Sequence, residues 1–186
     1  MPTLNPVTTE ECLFLVVLGG RTKGCNVEQH DVRWVVGRSI DDTIPELKRQ
    51  WFGIRRGLHI DSYRRIRCVD GHRVSIISAS EPELEQNMKL WFVNLGAYKP
   101  EDMAEQHRFG LVVARSSQAA KAKAKRLWMR GEEQIHKDDL HAVNGGPEID
   151  DLLPIDGNGL WRVHLTAEAC IDSGSNAPDW YGYRLI

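Results

Sequence analysis

Apolar positions along the chain alternate between short unbroken runs and one-sided periodic stretches. Leu13–Leu18 is an unbroken run closed by Gly19-Gly20, the pattern of a strand covered on both faces. Val32–Val36 reads as a second strand, rich in β-branched and aromatic residues. Ile40, Ile44, Leu47 and Trp51 then recur at helical spacing and give one apolar face. Pro45 is tolerated in a first turn, so the spacing predicts a helix starting near Asp42 or Thr43, with Gly53 as its stop. His59-Ile60-Asp61 reads as a loop or short turn. Arg65–Val69 and His72–Ile77 read as strands joined by Asp70-Gly71, a two-residue hairpin signal. The unit is β-β-α-β-β.

The same order then returns. Leu90–Leu95 and Phe109–Ala114 read as strands, and Ser116 or Ser117 caps a helix from about Gln118 to Arg130, with Gly131 as its stop. Its predicted apolar face is Ala120, Ala124, Leu127 and Trp128, and Leu152–Ile155 with Leu160–Leu165 reads as a closing hairpin. Displacing the sequence by 77 positions lays residues 13–63 over 90–140 without a gap, with 16 identities in 51 positions. Matching Asp70-Gly71 to Asp156-Gly157 raises the offset to 86. The expected fold class is α+β, a tandem duplication of the β-β-α-β-β unit packed as a pseudo-two-fold pair. The expected layout is a tail over 1–12, a first repeat over 13–78, a linker over 79–89, a second repeat over 90–166 and a C-terminal docking segment over 167–186. Trp180, Tyr181 and Tyr183 are the reason to expect the last segment to dock.

Composition narrows this picture only modestly. A chain of 186 residues buries roughly 70% of its unfolded surface, enough for one good core or two small ones. A net charge of -2 gives no global pull toward nucleic acid or anionic membrane. The four cysteines (Cys12, Cys25, Cys68 and Cys170) are far apart with no Cys-x-x-Cys, which suits reduced thiols rather than a disulfide framework. Leu13–Leu18 is too short to span a bilayer, and Glu10-Glu11 stands where a secretory signal would be basic. The expected compartment is the cytoplasm, with no membrane partner.

Leu13–Gly20, Glu28-Gln29-His30-Asp31, Trp34-Val35-Val36-Gly37, Trp51 and His59-Ile60-Asp61, in that order and spacing, resemble a bacterial domain of unknown function, number 1543. The resemblance extends over both copies, roughly residues 13–166, and implies one or two copies of the unit per chain. It brings no activity, cofactor or site residue. Arg108 replaces Asp31 in the second copy.

The repeated polar sets are the candidate chemistry. Glu28 and His30 project to one side of an extended segment, as do Glu105 and His107. His59 with Asp61, and His136 with Asp138, have the same spacing. If each set gathers, two imidazoles and two carboxylates per copy suit divalent metal binding or general acid–base work. The plainer reading is that they hold turns shut through bonds to backbone groups. Gly19-Gly20-Arg21-Thr22-Lys23-Gly24 is not a phosphate loop, because it leads to a strand and lacks the Lys-Ser/Thr step. Two basic clusters (Arg55, Arg56, Arg64, Arg65, Arg67 and Arg73; Lys121, Lys123, Lys125, Arg126 and Arg130) offer a nucleic-acid face, but near-neutral charge and an amphipathic helix argue against a nucleic-acid partner. The tryptophans read as core. The expectation is a non-catalytic binding or interaction module, with no cofactor or metal and with another protein or a second copy as partner. A metal-dependent hydrolase using the His/Glu/Asp sets and a nucleic-acid-associated protein are the alternatives.

Overall fold

The run at Leu13–Leu18 is the middle of a longer strand, β1 (Cys12–Arg21), in a computed structural model that describes residues 10–82, 84–97, 103–104, 106–128, 152–170 and 177–186. Gly19 and Gly20 continue the strand instead of ending it, for reasons of space. A β-carbon at Gly20 would lie 2.7 Å from the Trp51 ring, and one at Gly19 would collide with His59. β1 pairs antiparallel with β2 (Gln29–Gly37) and with β3 (Ile54–Ile66). His59-Ile60-Asp61 therefore lies within β3, not in the expected loop. Its local pattern hid it: the seven residues from Ile54 to Ile60 include two adjacent arginines and Gly57, so no clean alternation shows.

Between β2 and β3 stands α1 (Ile40–Gln50). Its start is earlier than the expected Asp42 or Thr43, because Ser39 and Asp42 form a capping box in which each side chain accepts the other's backbone N–H. Pro45 then falls in the second turn, and the helix ends at its cap Trp51 before Gly53. β4 (Cys68–Val69) and β5 (His72–Ser78) form the expected hairpin, with Asp70 and Gly71 both in the left-handed region, φ 52° and 74°.

In the second copy, β6 (Lys89–Ala97) pairs with β7 (Gln106–Ala114). Ser116 Oγ accepts the Ala119 N–H and caps α2 (Ser117–Trp128). Ala120 and Ala124 are buried, while Leu127, expected on the same face, is exposed. The expected stop at Gly131 lies outside the described residues. The expected closing hairpin is corrected: its arms serve two different sheets. β8 (Leu152–Pro154) pairs with β6, and β9 (Trp161–Ala167) crosses to pair with β5 of the first copy. Among the described residues of this copy the left-handed pair is Asn158-Gly159 (φ 51° and 83°), not the expected Asp156-Gly157. Gly157 is needed for a different reason, since a β-carbon there would lie 2.6 Å from the Trp161 carbonyl oxygen.

The result is a mixed α+β fold with two helices among the described residues. The strand orders are β10-β3-β1-β2, β4-β5-β9 and β7-β6-β8, where β10 is Trp180–Leu185 on the edge of β3. A shared core that includes Leu13, Ile66, Leu90, Phe92 and Val113 lies where the two copies meet. Leu47 and Trp51 pack against Val16 and Ile60, and Ala120 and Ala124 pack against Val93 and Val112. Each helix thus covers the outer face of its own copy's strands. Arg65, counted in the first basic cluster, is buried with its guanidinium 5.2 Å from the Phe14 ring centroid.

The cysteine expectation is also corrected. Cys68 and Cys170 are disulfide-bonded across 102 positions, with Cα atoms 6.1 Å apart. Sequence distance concealed a pair that the β5–β9 ladder brings together. The expectation of a cytoplasmic location rested in part on four reduced thiols, and two of them are not thiols. No helix among the described residues is long and apolar enough to cross a membrane.

Candidate functional site

Strand order places the first polar set. β1 lies between β2 and β3, and Gly19 is the register partner of His30 on one side and of His59 on the other. The missing side chain at Gly19 lets the flanking residues reach across the strand. The β1–β3 register shifts between Val17 and Leu18, which leaves Asp61 as the extra residue of a bulge. Its carboxylate stands between two imidazoles, 3.2 Å from His30 Nε2 and 3.2 Å from His59 Nε2. Glu28 Oε1 is 3.5 Å from the same His59 nitrogen. All four predicted residues of the first copy are therefore brought together.

They do not share one environment. The His59 side chain is 2% exposed, and its Nδ1–H donates to the Gly57 carbonyl at 2.8 Å. Tyr183 of β10 covers the ring, with centroids 4.1 Å apart. The His30 side chain is 54% exposed and meets only the rim of this cluster. Sequence reasoning missed Tyr183 and Gly57; the aromatic C-terminal stretch was the signal for the first. Among the described residues, no group of three or more His, Cys, Asp or Glu side chains is arranged to hold a metal ion. In the loop before Glu28, the Thr22 N–H donates to Cys25 Sγ at 3.3 Å and holds that thiol below its ordinary range.

Of the second set, Glu105, His136 and Asp138 lie outside the described residues. His107 is described, with Nδ1 3.2 Å from Asn94 Nδ2. Asp31 and Arg108, the position where the copies differ, do local work. Asp31 accepts the Val32 N–H at 2.8 Å and pairs with Arg33, while Arg108 Nη1 donates to the Trp128 carbonyl at the end of α2.

What joins the copies is a groove of about 450 Å³ between β2 and the β6–β7 pair. His30 and His107 both line it, as do Val17 with Asn94 and Val32 with Phe109, each pair 77 positions apart. Its floor is aromatic: Trp34 and Phe92 have centroids 5.4 Å apart, and Phe92 and Phe109 6.0 Å. The groove is thus aromatic at its floor, and its polar lining combines the imidazoles and the Asn94 amide with the Asp31–Arg33 ion pair.

Gly19→Ala tests how the cluster is built. The added carbon must displace His59, so we expect a loss of about 1–3 kcal/mol in denaturant unfolding. An alanine variant as stable as the wild type would mean that His59 has another place to go.

A protein-family model described as a domain of unknown function (DUF1543) matches the chain twice, over residues 25–76 and 102–153. Among solved structures, the crystal structure of a protein Il1583 from Idiomarina loihiensis is similar, at 32% identity and a TM-score of 0.69. The match covers 94% of this chain and 97% of that one. No curated protein matches.

Proposed function

We propose, for a chain that belongs to the DUF1543 family, a non-catalytic binding module whose ligand seat is the groove between the two copies. The observation that carries this reading is the pairing of equivalent positions across an aromatic floor, with an imidazole from each copy at the top. Such a site suits a small planar molecule that buries its faces on Trp34, Phe92 and Phe109 and offers a hydrogen-bonding edge to His30, His107 and Asn94. The buried cluster around His59 then serves as the wall that fixes β2, with Asp61 orienting His30 from behind.

The reading includes a finer architecture, two β-β-α-β-β units related by a pseudo-two-fold axis. Three features support it. The left-handed turns Asp70-Gly71 and Asn158-Gly159 occupy matching places just before β5 and β9. The strands that follow them, β5 and β9, pair with each other. Asp70 accepts the Val113 N–H of the other copy at 2.7 Å, and Asn158 shares a cavity with Val36, the residue 77 positions before Val113.

The test is a titration with planar heterocycles such as indole and benzimidazole, followed by Trp fluorescence and by the side-chain NMR signals of His30, Asn94 and His107. We expect saturable shifts at all three residues, lost in a His30→Ala/His107→Ala variant that still folds. Shifts that map away from the groove would end this reading. A second reading, general acid–base catalysis, is favoured by the position of Asp61 between two imidazoles. It requires substrate to displace Tyr183 from His59, so deleting β10 should then raise turnover of an activated ester.

A further inference from the structure

The outer face of the β5–β9 pair carries a second site that shares no residue with the groove. Val163 and Leu165 of β9 point into the core, so Arg162 and His164 share the opposite face. The chain between the copies, at Gln86, runs along the edge of β9 that faces away from β5 and is tied to it. Gln86 Nε2 donates to the Val163 carbonyl at 2.9 Å, and its Oε1 accepts the Leu165 N–H at 3.1 Å. One side-chain amide therefore takes the place of a neighbouring strand. Beside this strap lies a cavity of about 670 Å³, lined by Arg162, His164, Ile77, Gln86, Lys89 and Glu85.

The polar groups of this cavity are unevenly satisfied. Arg162 Nη1 and Nη2 donate to the Ala79 and Glu81 carbonyls, which anchors the guanidinium. Its Nε is buried and has no partner among the described residues, and the same is true of His164 Nδ1. Natural proteins seldom leave such atoms unpaired, because each forgoes its bonds to water. Here two of them belong to residues two apart on one strand face, and both residues line the same cavity as Lys89. Their common complement is an oxygen-rich anion. Arginine and lysine make the local charge positive despite Glu85, and a charged acceptor strengthens each bond it receives.

We propose that this cavity binds a small organic anion through a carboxylate or phosphate group, held by Arg162, His164 and Lys89. The anion reaches Arg162 Nε and His164 Nδ1 through small rotations of these side chains, while Gln86 keeps the strap in place beside it.

Isothermal titration with inorganic phosphate and, separately, with citrate tests the proposal, alongside amide NMR of the wild-type chain. We expect saturable one-to-one binding of at least one anion, with shifts centred on Ile77, Val163 and His164. Binding of phosphate alone assigns a phosphoryl ligand, and of citrate alone a carboxylate ligand. In a His164→Gln/Lys89→Gln variant affinity should fall about tenfold or more, from the loss of charged hydrogen bonds. Arg162 is left intact because it anchors the strap. The proposal is overturned if neither anion saturates by about 10 mM, if the wild-type shifts map elsewhere, or if the variant binds as well as the wild type. A variant that does not fold leaves the wild-type shift map to decide.

Discussion

Replacing Cys170 by serine is expected to lower the unfolding free energy by about 4–5 kcal/mol under oxidising conditions. The Cys68–Cys170 bond closes a loop of about a hundred residues, and in the chain-entropy model a loop of roughly that length restricts the unfolded ensemble by about 4.7 kcal/mol. Contacts that hold the same region when folded, such as the bidentate pair of Arg73 with Glu168 at 2.7 Å, do not substitute for it, because they vanish on unfolding. Guanidinium titrations of the wild type and the variant, with and without a dithiol reductant, give the answer. The reduced wild type should unfold like the variant. A difference below about 1 kcal/mol between oxidised wild type and variant would show that the link adds little to what the unfolded chain already retains.

The second large effect separates the two histidines that flank Asp61. His59→Ala should cost about 3 kcal/mol. The substitution removes a buried ring, the bond to the Gly57 carbonyl, and the surface on which Tyr183 rests. Asp61 and Glu28 also lose a partner, but both carboxylates retain access to water, which limits the penalty. His30→Ala should cost less than about 1 kcal/mol, since its contact with Asp61 is half exposed. Thermal and denaturant unfolding of the two single variants decides it. Equal losses would mean that His30 helps to hold the fold, and would remove it from the groove's binding surface.

Much of this architecture was legible in the sequence because duplication shows through substitution. The spacing of Leu13, Glu28-Gln29-His30, Val35-Val36, Ser39 and Trp51 repeats at 77 positions, and each residue marks a structural requirement. Ser39 and Ser116 both cap helices, and Trp51 and Trp128 both pack against their own copy's strands. The Asp70-Gly71 hairpin was readable for a local reason: few residues other than Gly, Asn and Asp adopt positive φ. What escaped were non-local facts. β3 could not be followed through His59 because its pairing with β1, through a bulge at Asp61, overrides a weak local pattern. Gly19 and Gly20 read as an end because their function is to admit His59 and Trp51, which arrive from elsewhere in the chain. The Cys68–Cys170 pair and the crossing of β9 to β5 depend on how the copies meet, and neither copy encodes that alone. For the candidate site, the grouping of Glu28, His30, His59 and Asp61 was readable from its repetition. The burial of one imidazole and the exposure of the other was not.

The exchange of strands has a consequence for how the molecule holds together in dilute solution. β5 completes its sheet only with β9, so each half supplies a strand that the other half needs. As two separate chains such halves would find each other by collision, and their union would weaken on dilution. The segment over 79–89 makes the encounter intramolecular, at an effective concentration on the order of millimolar. The duplicated chain thus behaves as a dimer whose dissociation has been abolished by peptide linkage, and its integrity does not depend on how many copies surround it.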